Sequence, residues 1–211
     1  MKILFGGTFD PIHIGHIKLA RYVSQEFNCP VSLLPLSGVP NYKKSPKASL
    51  KQRLAMLEII AAKYPQEIKI DYSEAQLTEY SPTITTLRRM RKNQLPTEEI
   101  YFIIGGDSLL SLEIWDEWKS LFGLTNFIVA MRPDYPLHNM TKDLAKEISP
   151  RITNDINSAS QVGSVIITHF TPLEVSSTNI RHLCQLGQKI ENLVDPEINT
   201  YIIQNNLYKG K

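Results

Sequence analysis

The sequence predicts an α/β fold: a doubly wound, Rossmann-like parallel sheet with helices on both faces and a small helical region at the C-terminus. Short apolar, β-branched runs of four to six residues recur along the chain and are bounded by turn formers, as buried parallel strands are. Longer segments between them carry apolar residues three or four positions apart, which is helical spacing. This alternation implies parallel strands joined by right-handed crossovers.

The predicted strands are short enough to be buried on both faces. Six are predicted, at residues 2–5, 31–35, 68–71, 100–105, 126–131 and 165–170. Residues 135–163 are the least patterned part of the chain, and we expect a helix and a loop there.

Two predicted helices follow the first two strands. The first has an apolar face at Ile14, Ile17, Ala20, Val23 and Phe27, and the second has one at Leu50, Leu54, Leu57 and Ala61. Two more helices are expected near the C-terminus, over 174–188 and 195–208. The last of them should begin with Asp195 as N-cap and Pro196 at the first helical position.

Length and charge limit the possible functions. The 211 residues suit a single domain, 1–211, within which 172–211 form a helical subregion. The 23 basic and 21 acidic residues give a net charge of only +2, so we expect neither nucleic acid nor a membrane surface as a partner. There is no run of ~18 apolar residues, and the N-terminal residues lack the apolar segment of a secretory signal, so we expect neither a transmembrane helix nor secretion. Cys29 and Cys184 lack metal-site spacing and fit a reducing, cytoplasmic location.

A first candidate site follows the first strand, in "GGTFDPIHIGH". Gly6 and Gly7 would let backbone N–H groups approach a ligand, and Gly15 keeps the first helical turn free of a side chain. His13 and His16 would add N–H donors at a helix N-terminus, which favours a phosphate site. A metal pair is the alternative, but helical metal-binding histidines are usually four residues apart and a third ligand is needed. Two solvated histidines are the other alternative.

A second candidate phosphate site is "VSSTNIR", residues 175–181. Ser176, Ser177 and Thr178 would lie at a helix N-terminus, and Arg181 would lie one turn further on. Hydroxyl and backbone N–H groups there can hold phosphate oxygens, and a guanidinium can bind two oxygens at once. Ordinary N-capping by the serines is the alternative.

The first site resembles the (T/H)xGH signature of the nucleotidyltransferase superfamily, and "VSSTNIR" is similar to its ISSTxIR motif. "HIGH" also occurs in class I aminoacyl-tRNA synthetases, but those chains are much longer and carry a KMSKS loop. The segments "FIIGGDSLLSLEIWDEW", "SPTITTLRRM", "MRPDYPL" and "LVDPEINTYIIQNNLY" resemble bacterial nicotinate-mononucleotide adenylyltransferases. The resemblance covers nearly the whole chain.

The resemblance implies transfer of the adenylyl group of ATP to nicotinate mononucleotide in NAD biosynthesis, with Mg²⁺ arriving with ATP and no protein metal site. It implies catalytic roles for His13, His16 and Arg181. The implied ATP-binding residues are Gly6, Gly7, Thr8, Phe9, His13, His16, Lys43, Ile104, Gly105, Asp107, Ser176, Ser177, Thr178 and Arg181. The implied acceptor-binding residues are Thr83, Thr86, Gly106, Asp107, Trp115, Asp116 and Arg132.

The resemblance also implies how the acceptor is bound. Trp115 would stack on the pyridine ring, and Asp107 would accept hydrogen bonds from ribose hydroxyls. Thr83 and Thr86 would surround the nicotinate carboxylate. We expect Trp118, three residues after Trp115, to be a core residue instead.

Two segments depart from the family pattern. The loop "VPNYKK" has Tyr42 where a histidine is common. At residues 81–83, "SPT" replaces the usual SYT, and its proline stiffens the backbone before Thr83. Nearby lies a basic cluster, which consists of Lys43, Lys44, Lys47, Lys51 and Arg53. A solvated face is the simplest interpretation of these residues, except for Lys43.

Other functions remain open from sequence alone. Pantetheine-phosphate adenylyltransferases share the first motif but are shorter and lack the Trp115 segment, and cytidylyltransferases are more distant. A nucleotide sensor without catalysis is a further alternative, although it would not need donors aimed at a transition state. The sequence leaves the oligomeric state open, and a homo-oligomer is compatible with it.

Overall fold

A computed structural model of the protein describes residues 1–38, 45–77, 79–93, 97–131, 137–155, 159 and 161–210. In it the chain forms a seven-stranded, all-parallel sheet with helices, so the predicted fold class is confirmed. The strand order is β3-β2-β1-β4-β5-β7-β6. The strands are β1 (Lys2–Gly7), β2 (Val31–Pro35), β3 (Ile68–Ile70), β4 (Ile100–Gly105), β5 (Asn126–Ala130), β6 (Ile152–Thr153) and β7 (Val165–Ile167).

The helices include all five that the sequence predicts. They are α1 (Ile14–Glu26), α2 (Leu50–Lys63), α3 (Thr83–Asn93), α4 (Gly106–Leu110), α5 (Lys142–Ile148), α6 (Ser177–Gln185) and α7 (Pro196–Gln204). As predicted, Asp195 caps α7, its carboxylate accepting from the backbone N–H of Glu197 at 3.1 Å, with Pro196 first in the helix. In the described part of the chain, no helix has the length and apolar composition to cross a membrane.

The chain divides into two compact units. The first comprises residues 1–6 and 81–172, and the second comprises residues 7–80 and 173–211. The single domain with a helical subregion over 172–211 stays a prediction. In the structure, residues 173–211 belong with residues 7–80.

The first unit is built around β4 and β5. These two strands pair with each other in parallel, with Phe102 opposite Phe127 and Gly105 opposite Ala130. All five residues of β5 are buried, which explains its continuous apolar sequence. At the end of β4 the chain turns directly into α4, so Asp107 lies in the first turn of that helix.

The second unit packs α1 and α2 near β2 and β3, and the chain returns to it with α6 and α7. Most of the predicted apolar face of α1 is buried, including Ile17, Ala20 and Val23. The backbone N–H of Ile14 donates to the carbonyl of Leu193 at 3.1 Å, which connects the start of α1 to the C-terminal region.

The observed buried face of α2 is shifted by one residue from the predicted apolar face. Leu57 is buried as expected, but its buried companions are Arg53, Met56 and Ile60. The cause is Arg53, which is only 1% exposed and donates to the carbonyls of Thr8 (2.7 Å) and Leu36 (2.9 Å). Arg53 is therefore a buried structural residue and not part of a solvated basic face.

Some helices and strands of the structure are not predicted from the sequence. It did not predict β6, which has two residues, or the helices α3 and α4. The helix expected within 135–163 is present as α5, where Thr141 Oγ1 accepts from the backbone N–H of Leu144 at 3.1 Å.

Replacing Arg53 should destabilise the protein more than replacing an exposed arginine. Arg53→Met removes the donors of two partly buried carbonyl groups and the charge of a buried side chain, so we expect the free energy of unfolding to fall by about 2–4 kcal/mol. Arg88→Met is the matched control, since Arg88 is 50% exposed and pairs with an exposed Glu117, and such surface pairs contribute little. Urea unfolding measures both variants, and equal stabilities would contradict the structural role of Arg53.

Candidate active site

The spacing of the two histidines is explained by the start of α1. His13 is the N-cap and His16 is the third helical residue. The backbone N–H of His16 donates to His13 Nδ1 at 3.4 Å, and the backbone N–H of His13 donates to His16 Nδ1 at 3.3 Å. The two imidazoles thus form a reciprocal capping box, a role that Ser or Thr with Glu or Gln usually fills.

This capping box also determines where the histidine protons lie. A neutral imidazole has one N–H and one acceptor nitrogen. Because Nδ1 of both His13 and His16 accepts a backbone hydrogen bond, the proton of each neutral ring belongs on Nε2. The rings stack with centroids 3.6 Å apart and an angle of 23° between planes, so the two Nε2–H donors are on adjacent rings.

An open cleft of about 780 Å³ lies within the second unit, and His16 lines it. Its other lining residues are mostly polar and come from the first motif, the turn before α2, and α6. They are Thr8, Phe9, Asp10, Ser45, Pro46, Lys47, Ser177, Thr178, Arg181, His182 and Gln185. The ring of Phe9 meets that of His16 edge to face, with centroids 5.2 Å apart.

The second motif is hydrogen-bonded to the first inside this unit. Ser177 Oγ donates to the carbonyl of Pro11 at 2.9 Å, and Arg181 Nη1 donates to the carbonyl of Asp10 at 2.7 Å. A second guanidinium nitrogen, Nη2, donates to Thr178 Oγ1 at 3.1 Å. Ser176 is the N-cap of α6, and its side chain accepts from the backbone N–H of Asn179 at 3.2 Å.

The cleft thus combines cationic and hydroxyl donors from both predicted phosphate motifs. His16, Ser177, Thr178 and Arg181 share it. His13 is only 5% exposed and supports His16 from behind the cleft lining. Such a set of donors suits a polyanion such as a triphosphate.

Sequence reasoning missed several residues of the cleft. The motifs assign no role to His182 and Gln185, yet they lie one turn or two beyond Thr178 on the same face of α6, and this helical spacing is the signal that indicates them. Lys47, for which a solvated face is predicted, also lines the cleft. Asp10, which is 4% exposed and stands inside the first motif, has no predicted role.

The glycines of the first motif have packing reasons. A Cβ on Gly6 would approach the ring of Phe102 to 2.6 Å, and one on Gly7 would approach the ring of Phe9 to 2.9 Å. A Cβ on Gly15 would lie 2.9 Å from Val175 Cγ1. Close packing therefore requires glycine at these positions, whether or not a ligand approaches the backbone.

The acceptor candidates lie in the first unit. Asp107 is exposed in α4, and its carboxylate lies against the Cβ position of Gly105, two residues earlier, so a side chain there would displace it. Ile104 and Gly106 are buried. Trp115 is half-buried, and its ring meets that of Phe102 edge to face at 6.4 Å between centroids.

The candidate carboxylate-binding residues differ in accessibility. Thr83 begins α3 and is half-buried, and Asp116 is exposed. Thr86 is fully buried, with its hydroxyl 3.0 Å from that of Ser81. Its contact with the acceptor stays a prediction, and in this structure its hydroxyl is engaged in the interior.

Two predicted site residues cannot be placed. Lys43 and Arg132 lie outside the described residues, as does Tyr42. Among the described residues, no group of three or more His, Cys, Asp or Glu side chains is arranged to hold a metal ion. The carboxylate in the cleft, Asp10, already accepts three hydrogen bonds from protein donors.

The fold and the two phosphate motifs define a nucleotidyltransferase, and a family model described as cytidylyltransferase-like matches residues 4–183. A Shewanella woodyi protein named "Probable nicotinate-nucleotide adenylyltransferase" is 36% identical over 206 residues, which are 98% of each chain. A Chromobacterium violaceum protein of the same name is 33% identical over 208 residues, 98% of this chain and 97% of its own. The chain therefore belongs to the nicotinate-nucleotide adenylyltransferase family, as its sequence predicts.

A solved structure is similar in fold. It is the nicotinic acid mononucleotide adenylyltransferase of Plasmodium falciparum complexed with NaAD, with a TM-score of 0.76 and 20% identity. The match covers 99% of this chain and 98% of that one.

Adding a methyl group at Gly15 should weaken binding of ATP. Gly15→Ala would ordinarily favour a helix, but here its Cβ would press on Val175 and on the His13 ring, at 2.9 and 3.1 Å. We expect a rise of about tenfold in the ATP dissociation constant, since overpacking shifts both motifs. Gly123→Ala is the matched control, because nothing lies within 4 Å of its Cβ position. Calorimetry measures both, and wild-type affinity in Gly15→Ala would contradict the close packing.

Proposed function

We propose that the chain transfers the adenylyl group of ATP to nicotinate mononucleotide, releasing pyrophosphate and forming deamido-NAD. Full-length identity of 33–36% to proteins of that name supports this activity. The observation that carries it is the single cleft lined by His16, Ser177, Thr178 and Arg181. These residues come from two distant parts of the sequence, and all four can donate hydrogen bonds to phosphate oxygens.

In the proposed reaction an oxygen of the acceptor's 5′-phosphate attacks the α-phosphorus of ATP. A new P–O bond forms, the bond from the α-phosphorus to the bridging oxygen breaks, and pyrophosphate leaves with the electron pair. The attacking phosphate is already an anion at neutral pH, so no general base is required. Positioning and charge neutralisation then account for the catalysis.

His16 and Arg181 would supply the neutralising groups from the protein. His16 Nε2–H would donate to oxygens whose charge changes in the transition state, with the stacked His13 as support. Arg181 would bind the triphosphate with its guanidinium, which the carbonyl of Asp10 and the hydroxyl of Thr178 orient. These donors are hydrogen-bonded in position before the substrate binds, so little reorganisation is needed.

We propose that magnesium arrives as the MgATP complex. The ion favours oxygen ligands and retains several waters, so phosphate oxygens can provide most of its coordination. The described cleft is consistent with this, because it offers hydrogen-bond donors to phosphate and its carboxylate, Asp10, is engaged by the protein. When bound, the ion would neutralise part of the charge on the leaving pyrophosphate.

We propose that the acceptor is bound by residues of the first unit, as the family resemblance implies. The half-buried Trp115 would stack on the pyridine ring, and the exposed Asp107 would accept from ribose hydroxyls. Thr83, at the start of α3, is the accessible candidate for the nicotinate carboxylate. We also propose a cytoplasmic location, which fits Cys29 and Cys184 being thiols and not a disulfide.

The choice of acceptor tests the proposed function. Purified protein with MgATP should release pyrophosphate fastest with nicotinate mononucleotide, about tenfold to a hundredfold slower with nicotinamide mononucleotide, and not with phosphopantetheine. The amide lacks one charge-assisted hydrogen bond that the carboxylate makes. Equal rates on the two pyridine nucleotides would contradict carboxylate recognition, and turnover of phosphopantetheine would contradict the proposed function.

Truncating Trp115 should affect the acceptor and not ATP. Stacking on an aromatic ring contributes about 1–3 kcal/mol, so Trp115→Ala should raise KM for nicotinate mononucleotide by about tenfold or more. Trp118→Ala is the matched control, since Trp118 packs edge to face on Phe122 at 6.4 Å and should lose stability with KM unchanged. Initial-rate kinetics and thermal unfolding separate the two, and a Trp115 variant with only a lower melting temperature would assign Trp115 to the core.

Replacing His16 distinguishes a phosphate donor from a metal ligand. His16→Ala should lower kcat by ~10²–10³-fold while ATP affinity changes little, because the lost stabilisation belongs mainly to the transition state. The exposed His138, changed to Ala, is the control and should leave kcat unaltered. Single-turnover kinetics and metal analysis give the answer. Stoichiometric zinc in the purified protein, or a near-wild-type chemical step in His16→Ala, would contradict the donor role.

A further inference from the structure

A buried carboxylate stands next to the triphosphate-binding arginine. Asp10 is 4% exposed, and both of its carboxylate oxygens are hydrogen-bonded. Oδ2 accepts from the backbone N–H of Lys47 at 2.8 Å, and Oδ1 accepts from the backbone N–H of Ala48 at 3.0 Å. Oδ1 also accepts from the hydroxyl of Tyr208 at 2.8 Å.

Arg181 contacts the same residue in a different way. Its Nη1 donates to the backbone carbonyl of Asp10 at 2.7 Å, while the nearest carboxylate oxygen, Oδ2, is 3.8 Å away. A direct guanidinium–carboxylate hydrogen bond would be about 2.7–2.9 Å long and often bidentate. The carboxylate therefore lies near Arg181 without forming a direct hydrogen bond to its guanidinium.

The donors on Asp10 explain this separation. A buried carboxylate seeks hydrogen-bond partners, and without enough of them it would turn towards the nearest cation. Two of its three partners are backbone groups, so the Tyr208 hydroxyl is the only one of the three that a side chain supplies. Burial, and then the charge of Asp10, raise the pKa of Tyr208, so its phenol remains a donor throughout the working pH range.

We propose that Tyr208, near the C-terminus, is a positioning residue for Arg181 and acts through Asp10. Its hydrogen bond to Oδ1 helps to fix the carboxylate, so that Oδ2, the oxygen nearest Arg181, stays 3.8 Å from Nη1 and the guanidinium remains directed at the triphosphate of ATP. The inference rests on the proposed function only in that Arg181 binds ATP. It makes the C-terminal residues part of the substrate site, although Tyr208 itself does not line the cleft.

A double-mutant cycle on ATP binding tests the proposal. Dissociation constants for MgATP without acceptor are measured by calorimetry for wild type, Tyr208→Phe, Arg181→Ala and the double variant. Tyr208→Phe keeps the ring and removes only the hydroxyl. We expect it to weaken ATP about fivefold in the wild-type background, and by less than roughly twofold when Arg181 is already absent.

Tyr201→Phe is the matched control, because Tyr201 lies on α7 and does not line the cleft. We expect this variant to bind ATP as the wild-type protein does. Arg181→Gln replaces Arg181→Ala in the cycle if the alanine variant does not fold. Thermal unfolding is recorded for each variant, since loss of a buried hydrogen bond lowers stability in both backgrounds and cannot by itself produce the non-additivity.

The outcomes separate this proposal from the proposed function. An equal loss of ATP affinity in both backgrounds, or no loss in Tyr208→Phe, would overturn the positioning role. A wild-type protein that binds MgATP but does not adenylylate nicotinate mononucleotide would overturn the proposed function while the cycle still stands. A wild-type protein that does not bind MgATP would overturn both.

Discussion

The reciprocal hydrogen bonds between His13 and His16 are the constraint on which the orientation of the phosphate-donating imidazoles depends. They begin α1, stack the two imidazoles at 3.6 Å and make Nδ1 of each ring an acceptor. The same two bonds therefore stabilise the helix and leave Nε2 as the donor nitrogen. An enzyme that relies on positioning needs its donors oriented before substrate arrives, and here helix capping provides that orientation.

The second motif is fixed to this helix start through the backbone of the first. Ser177 and Arg181 donate to the carbonyls of Pro11 and Asp10, so a movement of either motif would strain the other. Arg53, buried on α2, donates to the carbonyl of Thr8 just before them. Burying a cation is costly unless its donors have partners, and here two backbone carbonyls accept from the terminal guanidinium nitrogens of Arg53. Several of the same hydrogen bonds thus stabilise the second unit and determine the geometry of its cleft.

Sequence reasoning predicted what local pattern determines. The six longer strands and the face of α1 follow from short-range periodicity, and the phosphate motifs follow from resemblance and residue chemistry. The face of α2 could not be predicted, because Arg53 is buried by carbonyls that are distant in sequence. The bond between Asp10 and Tyr208 joins residues 198 positions apart, and no periodicity reports it. The two-residue β6 has too little sequence to show a pattern.

The tautomers of His13 and His16 test the central claim most directly. Long-range ¹H–¹⁵N correlation spectra of the histidine-labelled protein distinguish Nε2–H from Nδ1–H in neutral imidazoles. We predict that both rings carry the proton on Nε2 in the neutral state, and that the Nε2–H signal of His16 shifts on adding MgATP. A proton on Nδ1 of either ring would contradict the reciprocal capping box, and with it the account of how the donors are oriented.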